Sequence, residues 1–254
     1  MLRNKPKVLL YDIETSPLLC YTWVRHDASV LKVLRESELM SIAWKWQGER
    51  AVHGDRRPDF SVGSEKPLVR KLRDLLSEAD VVIGHNVRNF DNKKSNTFSI
   101  FHGENPPAPY QVIDTLEIAR RHFAFSSNRL NDLGTYLKVG QKLSTGGFDL
   151  WDACMNASRP RAQQAAFHKL LRYNKQDVHL LEAVYEKLKP WDQRHAALNV
   201  IGDKPTACPR GCKAGWRSHG LRFQGGSAKR RMQCNGCGGW AYIVAVKAER
   251  KAAA

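Results

Sequence analysis

Long apolar runs are missing from this chain. No stretch approaches the roughly 20 apolar residues of a membrane span, which excludes a spanning helix. At the N-terminus only the short run VLL stands between the basic start and Tyr11, too little for a secretory signal, so a cytoplasmic setting is expected. Acids are also scarce beside bases: 25 Asp and Glu face 41 Lys and Arg, a formal net charge of +16. Such a balance suits a polyanionic partner, because cationic side chains release the counterions condensed on nucleic acid. It does not suit a membrane surface here, since no basic amphipathic helix stands apart from the core helices. Internal repeats are absent, and low complexity is confined to the AERKAAA tail. What remains is an ordinary hydrophobic content of 42% in 254 residues, enough for one large domain and a small appendage.

Residues 7 to 54 read as strands opening the chain in a β-meander: KVLLYDIET, CYTWV, LMSIAWKWQG and RAVHGD. EKPLVRKLRDLLSEA then spaces Leu68, Leu72, Leu75 and Leu76 as a helix does, and DVVIGHN follows as a short buried strand. Helices follow: after Asp91 to His102, within VIDTLEIARRHF, around Leu130, Leu133 and Leu137, and from near Pro160 to Pro190. This order predicts an α/β domain over residues 1–190, a mixed sheet flanked by helices. Residues 191–207 read as a linker, and 208–254 as a Gly-rich, basic, Cys-containing second domain.

Two carboxylates close the first strand. Asp12 and Glu14 lie two apart and so project from one face, where like charges repel unless a cation joins them. Asp91 begins a helix after the strand VVIGHN, where it serves equally well as a cap. Tyr173 and Asp177 lie four apart on one helix face, which also describes a packed tyrosine beside a solvated acid.

Taken together and in this order, DxE, Asn-x-x-x-Phe-Asp and Tyr-x-x-x-Asp resemble the DEDD family of 3′-to-5′ exonucleases in the ribonuclease H-like superfamily, specifically its tyrosine-containing DEDDy branch. The resemblance spans about residues 7–190. The phrases VIDTLEIARRHF, SNRLNDLGTYLKVGQKL, GGFDLW and YNKQDV are likewise similar to family B-type proofreading exonucleases. It implies a ribonuclease H-like sheet and hydrolysis by two Mg²⁺ ions, with Mn²⁺ as a substitute, about 3.5–4 Å apart. Asp12 would bridge both ions, Glu14 and Asp177 would hold the ion beside the attacking water, and Asp91 would serve the second mainly through water. Tyr173 would orient that water, because a phenol of ordinary pKa is a poor base at neutral pH.

Thr15, Asn86 and Phe90 would meet the strand end, although Phe90 also reads as a core aromatic. Asp114 reads as structural, and His168 and His179 as bystanders. Asn92 departs from the family, whose members carry an apolar residue after the aspartate, so the helix there is expected to pack or meet substrate differently. The implied substrate is single-stranded or frayed DNA. RNA and a non-catalytic nucleic-acid-binding role are the alternatives, and proofreading would need a replication or repair partner.

CPRGC and CNGC place Cys208 and Cys212, then Cys234 and Cys237, as two pairs separated by 21 residues. Four thiolates so spaced suit one tetrahedral Zn²⁺ in a zinc ribbon; two disulfides would require an oxidising compartment. Cys20 and Cys154 fall outside this pattern and read as ordinary buried thiols. Ten Lys and Arg against one acid after position 207, with Trp216, Phe223, Trp240 and Tyr242 interleaved, suggest a nucleic-acid surface. Arg230 and Arg231 are its candidate phosphate contacts, and docking to a protein is the competing use.

Overall fold

The computed structural model describes residues 6–26, 29–192, 208–224 and 227–246, without the side chains of 221–224, 227–228 and 242–246. In chain order come β1 (Val8–Thr15), β2 (Leu19–Tyr21), β3 (Lys32–Arg35), β4 (Leu39–Trp46), β5 (His53–Arg56), α1 (Lys66–Glu78), β6 (Val81–Gly84), α2 (Asp91–Phe101), β7 (Gln111–Asp114) and α3 (Thr115–His122). These are followed by α4 (Leu130–Tyr136), α5 (Asp149–Asn156), α6 (Pro160–Leu188), β8 (Trp216–Gln224), β9 (Ser227–Cys234) and β10 (Trp240–Val246). The central sheet has the order β5-β4-β1-β6-β7; β1 runs antiparallel to β4 and parallel to β6. Among the described residues no helix is long and apolar enough to cross a membrane.

Alternation along β1 sorts its side chains between two cores. Val8 and Leu10 face α3, α4 and α6, where they pack with Leu133, Val178, Leu181 and Val184. Leu9, Tyr11 and Ile13 face α1 and α2, among Leu68, Leu72, Leu76 and Phe98. Each fully buried aliphatic side chain contributes roughly 1.5–3 kcal/mol, so a one-residue slip of β1 would forfeit both faces at once. The same alternation carries Asp12 and Glu14 to the α6 side. A third cluster, with Met40, Leu150, Cys154, Phe167 and Leu170, packs α5 on the first half of α6 and so fixes the helix that bears Tyr173 and Asp177.

The expected meander is corrected in one respect. CYTWV does not join the sheet; β2 pairs instead with β3, which the sequence did not announce, as a separate two-stranded arm. β1 pairs with β4 across this arm, and the continuous buried run of β4 covers it almost to its end. Pro160 begins a single helix of 29 residues, as its position predicts.

Arg57 is fully buried and pairs with Glu38 at 2.7 Å and Glu65 at 3.0 Å, while also donating to the Ser61 carbonyl. Truncating one member of such a network strands the remaining charges. Arg57→Ala is therefore expected to cost roughly 3–5 kcal/mol in urea unfolding, and an unchanged midpoint would refute this.

Beyond Asp192 the linker reading falls outside the described residues, as does the AERKAAA tail. The ribbon segment forms a three-stranded antiparallel sheet, β10-β9-β8. Its contact with the first domain runs through Arg210, 2% exposed, which donates to the carbonyls of Lys189 at 2.8 Å and Asp192 at 2.6 Å. Gly239 gives the guanidinium room, since a Cβ there would lie 2.5 Å from it.

Candidate active site and cysteine centre

The last turns of β1 and the middle of α6 meet. Oxygens of Asp12, Glu14 and Asp177 lie within 4.8 Å of one another, a cluster able to hold a metal ion. Asp91 stands at the rim of this group rather than inside it. β6 pairs with β1 only as far as Leu10, so beyond that point the amides on the β6 edge of β1 lack a strand partner, while the other edge stays paired with β4. Asp91, 3% exposed, takes one of them: its Oδ1 accepts from the Ile13 N–H at 3.3 Å.

Two further residues belong to the site. Asn174, fully buried, donates from Nδ2 to Asp12 Oδ2 at 2.6 Å and accepts from Ser41 Oγ at 3.1 Å, which fixes the Asp12 carboxylate. Lys142 donates from Nζ to the Tyr173 hydroxyl at 3.0 Å and forms an ion pair with Asp177 Oδ2. Lys142 sits in an irregular loop with no periodicity to mark it. Asn174 left a fainter signal, a polar residue on the inward face of α6 between Leu170 and Leu181.

The electrostatics show a site short of positive charge. Burial first, then repulsion from Asp91 and Glu14, holds the Asp12 carboxyl well above its usual range. Burial and the Asp177 charge push Glu14 up to about 8, and burial raises Asp91 to about 7. Burial works against the Lys142 ammonium, but Asp177 and Tyr173 outweigh it and the net shift is upward. Burial, then Asp177, pushes the Tyr173 phenol up to about 12, despite the nearby ammonium. Asp177 Oδ1 is buried without a hydrogen-bond partner. An unsatisfied carboxylate oxygen facing other carboxylates is what a cation would complete, so these residues fit a divalent metal.

A pH dependence follows. An unfolded carboxyl titrates near 4, whereas Glu14 and Asp91 in the fold keep their protons to about 8 and about 7. The stability conferred is complete below about pH 4 and is lost as pH rises through 7 and 8, because there the folded state binds more protons than the unfolded. In magnesium-free buffer the melting temperature should fall between pH 5 and pH 8. Mg²⁺ should restore more of it at pH 8, and Glu14→Gln should flatten the slope. Scanning fluorimetry checks this, and a Mg²⁺ effect independent of pH would refute it.

The other singled-out positions sort clearly. Asp114 Oδ1 accepts from the Asn86 N–H at 2.8 Å and the Leu116 N–H at 3.0 Å, capping α3 and clamping the β6–α2 turn. That clamp holds Asn86 at φ 63°, a conformation asparagine tolerates better than most residues. Phe90 caps α2 at 39% exposure, so it is not a core aromatic. Thr15 is half-buried at the irregular end of β1. Asn92 packs as a shared acceptor: its Oδ1 receives the hydroxyls of Tyr11 at 2.7 Å and Tyr110 at 3.2 Å, which explains a polar residue there. His168 and His179 are exposed and lie outside the acid cluster.

In the ribbon, sulfurs of Cys208, Cys212, Cys234 and Cys237 lie within 4.8 Å of one another. None of the four is in a disulfide; Cys208 and Cys237 are 3.8 Å apart, far beyond a disulfide's roughly 2 Å. The Gly236 N–H donates to Cys234 Sγ at 3.4 Å, which supports a thiolate there. Cys154 is buried and Cys20 half-buried, both apart from this cluster. Arg230 and Arg231 are exposed on β9, and Trp240 is 43% exposed against His219. Trp216 is half-buried, and the side chains of Phe223 and Tyr242 lie outside those described.

A five-stranded mixed sheet flanked by helices, with an acidic cluster where its central strand meets the last long helix, defines an α/β protein of ribonuclease H-like architecture. The family model described as RNase_H superfamily matches residues 47–189, and the chain belongs to that superfamily. A similar solved structure is the family B DNA polymerase from the hyperthermophilic archaeon Pyrobaculum calidifontis, with a TM-score of 0.53 and 18% sequence identity over 73% of this chain. The match covers 25% of the polymerase chain, and the likeness is one of fold. No curated protein matches the chain. Fold and superfamily support a nuclease, hence a nucleic-acid substrate.

Proposed function

We propose that this chain is a metal-dependent 3′-to-5′ exonuclease that removes nucleotides from single-stranded or frayed DNA ends, with a zinc ribbon that adds affinity for the strand. The observation that carries the reading is the convergence of Asp12, Glu14 and Asp177 within 4.8 Å, beside Lys142 and Tyr173. Asp12, Glu14 and Asp177, with Asp91 at the rim, would hold two Mg²⁺ or Mn²⁺ ions. When bound, such ions supply charge that acidifies water and offsets the negative charge growing on the phosphate and leaving oxygen.

The chain's own groups do the positioning. Asn174 orients Asp12, and Lys142 pairs with Asp177, opposing the upward pull of burial on that carboxyl, while holding the Tyr173 hydroxyl. With its pKa at about 12, Tyr173 aims the attacking water rather than deprotonating it. Tyr173→Phe is accordingly expected to slow turnover about 10²-fold, a cost typical of lost positioning, with strand binding unchanged in magnesium-free buffer. Equal rates for the two proteins would remove Tyr173 from the mechanism. Thr15 and Phe90, next in the chain to Glu14 and Asp91, and Asn86 in the β6–α2 turn would grip the terminal nucleotides. Cys208, Cys212, Cys234 and Cys237 would hold one structural Zn²⁺, with Arg230 and Arg231, exposed on β9, to meet phosphates. The 3′-to-5′ direction rests on the DEDDy resemblance.

The test uses 5′-labelled single strands, DNA beside RNA, with and without Mg²⁺. A ladder shortening from the 3′ end only with metal supports the proposal, and faster loss of DNA supports the substrate. A 5′-end product ladder, or none, would overturn it; faster loss of RNA would reassign the substrate.

A further inference from the structure

The β2–β3 arm takes no part in the chemistry above, yet it exposes an unusual amount of apolar surface. Of the eighteen exposed large hydrophobic side chains among the described residues, nine lie between Leu18 and Leu34. Trp23 is 87% exposed and Tyr21 59%. An isolated two-stranded ribbon is marginal in water, and clustered apolar surface on a chain is retained where something binds it.

The arm is nonetheless held firmly at its root. Ser16 N–H donates to the Glu38 carbonyl at 2.8 Å, and Glu38 N–H returns a bond to Ser16 Oγ at 2.9 Å. Arg35 pairs with Glu38 at 2.7 Å and lies 4.0 Å from the centre of the Phe60 ring. These contacts tie the root to the buried Arg57 network.

Its position and charge point to the occupant. β2 begins five residues after Glu14, so Leu19 lies within about 18 Å of the acid cluster along the chain, a span that a stacked strand covers in about five nucleotides. Arg25 and Lys32 flank the exposed aromatics. Two copies meeting through this arm would bring those cations together on chains that each carry +16. A polyanion meets attraction instead, and every base offers a face to an aromatic ring.

We propose that the arm is a base-stacking platform for the unpaired end of the polynucleotide substrate, with Tyr21 and Trp23 against bases and Arg25 and Lys32 on phosphates. The choice of ligand rests on the nuclease reading.

Fluorescence anisotropy in magnesium-free buffer tests it, with a 5′-labelled 12-mer of thymidines and a 12-mer carrying abasic sites in its 3′ half. The wild type should prefer the base-containing strand by roughly tenfold. Tyr21→Ala with Trp23→Ala should erase that preference while leaving the abasic strand's affinity unchanged, and Trp23→Phe should retain most of it. Equal losses on both strands, or no loss, would overturn the proposal. So would a wild-type dimer in sedimentation that the double variant turns into a monomer. If the preference appears but no strand is ever cleaved, the nuclease reading fails and the platform stands; cleavage without the preference sinks the platform alone.

Discussion

Asp12→Ala should abolish strand shortening in Mg²⁺, with a loss of about 10³-fold or more, since each tenfold costs about 1.4 kcal/mol and metal-borne charge stabilisation is worth several. Asp12 is central to the cluster. It shares the 4.8 Å grouping with Glu14 and Asp177, and a buried amide, Asn174, holds it in place. Asp12→Asn separates charge from packing, because an amide keeps the shape and can still accept from Asn174. Without metal, the charge of Asp12 opposes the fold. The asparagine variant should therefore melt a few degrees higher than wild type at pH 8 in magnesium-free buffer and the same at pH 5. Activity lost with stability gained is the signature of a cation-binding carboxylate. Equal product from the alanine variant would place the chemistry elsewhere; a drop in apo stability would make Asp12 a structural residue.

Removal of zinc is the second large effect. Binding of a structural Zn²⁺ to four thiolates is worth about 10–16 kcal/mol in small domains, and a segment this short buries too little core to fold otherwise. Elemental analysis should find one zinc per chain, and Cys234→Ser or a strong chelator should reduce it to none. The ribbon should then unfold on its own. Arg210 would leave the carbonyls of Lys189 and Asp192, and proteolysis should cut after residue 192 while the first domain survives. Single-strand affinity should fall, with a shallower salt dependence as the phosphate contacts of Arg230 and Arg231 are lost. A ribbon that stays protease-resistant without metal would refute the zinc assignment, and one whose loss leaves DNA affinity intact would favour docking to a protein.

The parts of this protein legible in its sequence are those carried by short periods. The two-residue spacing of Asp12 and Glu14 and the four-residue spacing of Tyr173 and Asp177 state shared faces outright, because strand and helix geometry leave no alternative. The leucines of α1 and the two cysteine pairs are legible for the same reason. Lys142 was not, since a lysine in an aperiodic loop looks like any surface cation until the loop folds over α6. CYTWV was legible as a strand, but its partner was not, because the KVLR strand has no buried residue and hence no pattern. The brief α5 went unread as well, its helix short and its burial supplied by α6.

The sequence by itself determined which faces of β1 and α6 carry the acids, where most of the strands and helices lie, and that the acids are spread over three elements, with Asp12 and Glu14 sharing one. Only the tertiary structure decided that β1 and α6 bring three of those acids together while Asp91 stays at the rim. Local geometry is set by the nearest few residues, but the distance between side chains far apart in the chain depends on how two independent cores pack. The cost of crowding carboxylates is overcome there by hydrophobic burial on both sides of β1, an energy that no short window of sequence contains.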